Sequence, residues 1–315
     1  GWRPKRSILF ASWDAEEFTL TSSTEWGEQH ADRLRRHAIA YLNVDSAASG
    51  RNVALAAVPP LNRVIAEAAL TVRDPLARIP LIAVARERRA RERGALPAAS
   101  GDAFVSNRLG SGSDYTVFLN HLGIPIADLS FDGPYGVYHS IYDNHNWVSR
   151  IGDPGFRYHV ALVQLWGVIA LRIAQADVLP LDYSAYAPEI RKYIADIEGR
   201  WPGASLPEIR DGVAALESAA AGFERQRDAA LAADAPETRR ELNRRLIAAE
   251  RALLDEAGIP GRSWYRHQIY APKFTYAPEV LPAVAEALEA EDRQAAAVGA
   301  ARIGAAIRRA AAALH

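Results

Sequence analysis

Apolar positions follow two different rhythms along this chain. Up to about residue 178, short continuous apolar runs alternate with stretches of helical period; beyond Leu179 only the helical period remains. Ile8-Leu-Phe-Ala11 is short, continuous and bounded by polar residues, and so predicts a buried strand. Ser22-Ser-Thr-Glu25 has capping-box spacing and predicts a helix running to about His37. Ala38-Ile-Ala-Tyr-Leu-Asn-Val-Asp45 predicts a second buried strand, ending on an acid. Strand, helix, strand in about 40 residues is a βαβ unit, which brings parallel strands to one edge of the sheet. Further strands are expected at 52–57 and from Ile124 to Ser130. Helices are expected from Leu61 to Val72 and, long and apolar, from about Asp153 to Ala176. The expected class is α/β: a mostly parallel sheet with flanking helices over residues 1–178, then an all-α helical bundle over 179–315.

In that second part, helical periodicity covers Ser184–Arg200, Pro207–Ala233, Glu237–Ala257 and Glu279–Ala313, the last broken near Glu291. One stretch interrupts it, Trp264-Tyr-Arg-His-Gln-Ile-Tyr-Ala-Pro272, with Tyr276 shortly after. A loop that breaks a bundle can carry function, or its aromatics can pack it onto the first part of the chain.

Composition narrows the partners. With 315 residues the chain is long enough for a sizeable core, and its net charge is −1. That balance argues against a nucleic-acid-binding surface or a polybasic membrane patch, and no apolar run approaches the roughly 20 residues of a membrane span. The mixed charge run from Arg86 to Arg93 predicts a solvated helix face. There is no cysteine, so any metal must sit on histidine and carboxylate, a set suited to zinc or manganese. Methionine is absent too, and Gly1-Trp-Arg-Pro carries no initiator, so the chain is read as a fragment or processed product and its compartment stays open.

The candidate chemistry gathers on the expected strand ends. Asp14, Glu16 and Glu17 follow the first strand, and Asp45 ends the second. Ligands of open α/β sheets bind beyond the carboxyl ends of strands, where one glutamate can ligate a metal while its neighbour takes a proton from metal-bound water. Taken alone, the same acids read more readily as solvated loop residues or helix caps. Leu109-Gly-Ser-Gly-Ser-Asp114 opens a helix ending near His121. Its glycine spacing fits neither a P-loop nor a dinucleotide fingerprint, leaving a substrate wall or simple capping. Tyr135, Tyr138, His139, Tyr142 and His145 crowd one loop behind the strand ending at Ser130, and a histidine between tyrosines beside two acid-tipped strands is a candidate ligand.

Ala11-Ser-Trp-Asp-Ala-Glu-Glu-Phe18, Ser23-Thr-Glu-Trp26, Asn43-Val-Asp-Ser46, Leu109-Gly-Ser-Gly-Ser-Asp114 and Tyr138-His-Ser-Ile-Tyr-Asp143 occur in that order. The series resembles glutamate carboxypeptidase II and its bacterial relatives, two-zinc peptidases carrying a transferrin-receptor-like dimerisation domain, and the resemblance covers nearly the whole chain. It implies an incomplete zinc-exopeptidase-like α/β domain followed by a helical dimerisation domain, and hydrolysis of peptides by a metal-bridged hydroxide. Glu16 falls on the general base, Glu17 and His139 on ligands of one zinc, and Asp45 on a ligand of the other. Tyr138 falls on the hydroxyl that steadies the tetrahedral intermediate, and Gly112, Ser113 and Tyr276 fall on substrate contacts. A homodimer and a periplasmic or extracellular setting are also implied. The alternative is a non-catalytic scaffold of the transferrin-receptor kind, which would have no reason to keep these groups together.

Two departures qualify the resemblance. The family places a histidine ligand and a bridging aspartate ahead of Gly-Trp-Arg-Pro, so this chain, as given, is expected to bind zinc weakly and to be catalytically incompetent alone. Glutamate-selective members carry arginines where this chain reads Ala127-Asp-Leu-Ser-Phe-Asp132, and a lysine where it has Thr275. Without the guanidinium fork, selectivity for a glutamate side chain is unsupported.

Overall fold

A computed structural model describes residues 1–92, 104–273 and 277–315. The chain opens with an irregular segment, then α1 (Thr21–Gln29) and α2 (Ala31–His37). β1 (Tyr41–Asn43) and β2 (Asn52–Ala57) follow, then α3 (Asn62–Thr71) and α4 (Leu81–Glu92). A short helix with a π-type turn at Val117–His121 leads into β3 (Ile126–Asp132). The turn α5 (His145–Trp147) and the long α6 (Arg157–Gln175) complete this part.

The sheet is mixed, with order β1-β3-β2. β1 runs parallel to β3, with Asn43 opposite Asp128, whereas β2 runs antiparallel to β3, with Asn52 opposite Asp132. The mostly parallel sheet expected from a βαβ start is therefore not what the described residues form. Ile8–Ala11 is the reason: the segment pairs with no other strand among the described residues, and Leu9 and Phe10 are exposed. An apolar run becomes a strand only when a neighbouring ladder takes up its backbone groups. Here the segment is tied instead to α6: Arg6 donates to the carbonyls of Ile173 (3.3 Å) and Ala176 (2.5 Å), and Phe10 sits edge-on to Trp166.

β2 keeps strict alternation, with Val53, Leu55 and Ala57 buried and the residues between them half-open. β3 buries Ile126, Ala127, Leu129 and Phe131. α3 packs on α6, and α6 on β3. Near α1, Tyr41 stacks on Phe118 at 4.1 Å between ring centres, and Trp13 and Trp26 close the cluster at 5.3 Å from each other. Such aromatic pairs add about 0.5–1.5 kcal/mol each beyond their area. The predicted capping box is not used. Ser22 turns its hydroxyl to the Asp14 carbonyl, α1 starts from a left-handed Leu20 with no side-chain cap, and His30 breaks the run into two helices.

The helical part follows its periodicity closely: α7 (Tyr186–Arg200), α8 (Pro207–Ala232), α9 (Pro236–Arg251), α10 (Pro282–Glu289) and α11 (Arg293–Ala313), with a small antiparallel pair β4 (Tyr270–Pro272) and β5 (Pro278–Val280). Three of these helices begin at proline, whose fixed φ suits the first turn. α9 ends at Arg251, six residues before Ala257, because the chain turns there to run along the first part. The stretch from Trp264 resolves as packing. Trp264 stacks on His121, Arg266 and His267 donate their amides to the Asn120 carbonyl, and Asn120 donates its own amide to the Tyr270 carbonyl at 2.9 Å. Among the described residues, no helix is long and apolar enough to cross a membrane.

Candidate functional site

The acids expected on one rim do meet. Glu16 lies in the irregular turn before α1, and its carboxyl is held above the ordinary carboxylate range, first by partial burial and then by the negative charges of Asp45, Glu17 and Asp114, with His139 opposing. Glu17, Asp45, Asp114 and His139 are thus within electrostatic reach of Glu16. Asp45 follows β1, Asp114 closes the Gly-Ser-Gly-Ser turn, and His139 comes from the loop after β3.

Direct contacts sharpen this. His139 Nε2 lies 2.8 Å from Glu17 Oε1, and both side chains are about half-open to solvent. Tyr138 stacks on the His139 ring at 3.8 Å between centres and is itself exposed. Tyr135 donates its hydroxyl to Asp143 and leans on both Tyr138 and Trp147, which stiffens the loop. Tyr142 is exposed, and His145 stacks on Phe156 away from the acids.

Beneath the rim runs a link that motif reading did not supply. Buried Asn43 donates through Nδ2 to Ser113 Oγ and to Asp128 Oδ1, both at 2.8 Å. It thereby locks the Gly-Ser-Gly-Ser turn to β1 and β3. Ser113 is buried and spends its carbonyl on Thr116, so it supports the turn as much as it lines a site. Gly112 has φ 95°, a conformation only glycine adopts freely, which brings the turn's backbone to the rim. Burial raises Asp128 to about 6. Asp114 is also raised by burial, and its Oδ1 is buried without a hydrogen-bond partner. Asp128 was visible in the sequence, but only the register of Asn43 against Asp128 reveals its link to Asn43 and, through it, to Ser113. Tyr276 and Thr275 lie outside the described residues.

The backbone around the rim is strained. Ala15, Thr19, Leu20, Ala47 and His139 all have positive φ, at about 1 kcal/mol or more each for residues with a Cβ. Such strain persists where surrounding structure over-determines it, a pattern concentrated at functional sites. At the end of β3, the guanidinium that approaches is Arg88 from α4, and it pairs with Asp132 at 3.3 Å.

The donors suit zinc by type, an imidazole nitrogen beside carboxylate oxygens, but not by number. Among the described residues no group of three histidine or acidic side chains is placed to hold one ion, whereas catalytic zinc takes about three. Glu17 and His139 are the one imidazole–carboxylate pair in direct contact at this rim among the described residues.

Comparison with known proteins bears on this arrangement. The model of peptidase family M28 matches residues 1–150, and that of the transferrin receptor-like dimerisation domain matches residues 204–315. A probable glutamate carboxypeptidase of Arabidopsis thaliana is 39% identical over 294 residues, covering 92% of this chain and 41% of its own. The aminopeptidase NAALADL1 of Mus musculus is 30% identical over 307 residues, covering 91% of this chain and 40% of its own. A protein of Schizosaccharomyces pombe named an inactive zinc metalloprotease is 30% identical over 333 aligned positions, covering 98% of this chain and 39% of its own. The chain spans about two fifths of the length of these relatives.

Proposed function

The chain belongs to the glutamate carboxypeptidase II- and transferrin-receptor-like family, and from that premise we propose that it forms the acid-rim and dimerisation portion of a two-zinc exopeptidase. The contact between Glu17 and His139, beside a Glu16 whose carboxyl is raised by partial burial and neighbouring acids, is the observation that carries this reading. Glu17 and His139 would hold one zinc and Asp45 the other, with the remaining donors supplied from outside the described residues. Bound zinc would supply Lewis-acid polarisation and water of lowered pKa.

The chain's own residues would do the rest. Glu16 is partly buried among like charges, so its carboxyl holds a proton more readily than a free glutamate, as a group must that takes a proton and passes it to a leaving amine. Tyr138 is exposed beside His139, able to aim its hydroxyl at developing negative charge. Gly112, Ser113 and Tyr276 are assigned to the substrate wall. A substrate peptide with no demand for a glutamate side chain is favoured, since Ala127–Asp132 carries no arginine and Arg88, which approaches the end of that strand, is paired with Asp132. The division at residues 178/179 separates this site from the helical part, through which the chain would self-associate.

A scaffold reading has one observation in its favour, the missing third donor among the described residues. Zinc titration with a panel of amino-blocked and free dipeptides separates the two. A peptidase requires turnover in a preparation with its donors complete. Glu16→Gln should then cut turnover by about 10²–10⁴ while zinc uptake persists. Zinc-independent inertness of that complete preparation would leave the scaffold standing. Light scattering at micromolar concentration should give a dimer.

A further inference from the structure

Where α2 lies against α9, the surface opens into a cleft of about 280 Å³ lined by Arg35, Arg36, Arg244, Ile247, Ala248 and Arg251. Four of these six residues are arginine, and none is acidic. Arg244 is engaged by Glu241 on its own helix. Arg35, Arg36 and Arg251 form no ion pair among the described residues. Arg35 reaches only the His121 carbonyl, at a marginal 3.5 Å, and its Nε is buried without an acceptor. Arg251 donates to the carbonyls of Ile247, at 3.0 Å, and Ala38, yet its Nε is likewise buried and unpartnered. Burial makes the Arg251 guanidinium easier to deprotonate, down to about 10, with Tyr183 and Glu250 opposing.

The last turn of α2 does favour cations at its carbonyl end, which would account for Arg35 and Arg36. It does not account for two more arginines arriving from α9. The cleft itself sets several guanidinium groups side by side with no acidic side chain in its lining to accept from their N–H groups. A carboxylate offers two oxygens and one charge; a tetrahedral dianion offers more of both and matches planar guanidinium forks.

We propose that this cleft binds a tetrahedral oxyanion of the phosphate class, either free phosphate or a small phosphomonoester, and that the anion ties α2 to α9. The site is separate from the acid rim and does not depend on peptidase activity. The test is calorimetric titration and thermal melting of the full 315-residue chain at constant ionic strength, with inorganic phosphate, glycerol phosphate, acetate and chloride as separate arms. Saturable binding and a raised melting temperature with phosphate are expected, beyond anything acetate or chloride produces. Tighter binding of glycerol phosphate would assign the monoester, and tighter binding of inorganic phosphate the free ion. Arg36→Ala, at an exposed position that the fold does not need, should weaken binding about tenfold. Arg35→Gln should do the same, whereas Arg225→Ala on α8 should not. Arg251→Met is left aside because it is packed into the fold. Equal effects of phosphate and chloride, or phosphate affinity unchanged in both cleft variants, would overturn the proposal.

Discussion

Where α8 crosses α11, backbone meets backbone: a Cβ on Gly304 would stand 2.4 Å from the Glu208 carbonyl oxygen, and one on Gly212 would stand 2.9 Å from that of Gly304. Val213, Leu216, Ile303 and Ile307 fill the contact, all fully or almost fully buried. At the acid rim the same chain holds like charges together on residues of positive φ, with Glu17, Phe18, Tyr138 and Tyr142 open to solvent. One region is close-packed, backbone against backbone; the other carries strain and electrostatic repulsion. Stability and chemistry are thus drawn from different ends of the molecule, and a rim that is costly in the isolated chain is affordable because the helical part is not.

The largest test of this division lies in the close approach. Gly304→Ala sets a methyl against backbone that cannot move without parting α8 from α11. A loss of about 3 kcal/mol or more is expected, read as a lowered urea midpoint. A loss below about 1 kcal/mol would mean the crossing is looser than the packing implies. Next comes the buried polar cluster. Tyr186 donates to Glu250 Oε1 at 2.6 Å with both side chains fully buried, and the second oxygen of Glu250 already lacks a partner. Tyr186→Phe should cost about 2 kcal/mol, whereas Tyr142→Phe, exposed on the rim, should leave the unfolding midpoint where it is.

Asp128 stands between the two regions, part-buried on a core strand but carrying an acid like the rim. Its carboxyl titrates near 6 when folded, against an ordinary value of 3.8. The native state therefore binds the proton more tightly than the unfolded chain. The associated stability is complete below about pH 4 and is lost as pH rises through 6. Asp128→Asn keeps an acceptor for Asn43 and removes the charge. In metal-free protein it should flatten the stability profile between pH 4 and 7 and add about 1–2 kcal/mol at pH 8, discounted from the full shift because the residue is not wholly enclosed. Parallel profiles for parent and variant would place the proton elsewhere.

How much of this was legible beforehand differs between the regions for a physical reason. Helices such as α8 and α11 are written locally, in apolar spacing and, for α8, a leading proline, and their bounds were readable to within a few residues. β2 was legible from its alternation, and the gathering of Glu16, Glu17, Asp45 and His139 from motif order. Ile8–Ala11 was not, since strand formation depends on a neighbour and not on the run itself. The unused capping box at Ser22 and the break at His30 are likewise tertiary outcomes: Asp14 takes the serine, and a left-handed Leu20 starts the helix. Asn43 was the least legible of the site residues, because only strand register puts it between Ser113 and Asp128.

The smallest effect is the one that isolates the rim. Glu16 is raised by partial burial and then by Asp45, Glu17 and Asp114, so its charged form is disfavoured in the folded state. Its contribution to stability is present at low pH and lost as pH rises through its folded value. Glu16→Gln removes the charge and keeps the shape. At pH 7 the metal-free variant should therefore be as stable as the parent or more so, by no more than about 0.5 kcal/mol given solvent screening, and at pH 4 the difference should shrink. Differential scanning calorimetry at the two pH values measures it. If the variant were instead less stable at pH 7 by about 1 kcal/mol or more, Glu16 would be a structural anchor, and the separation between a rim that carries chemistry and a core that carries stability would fail at its central residue.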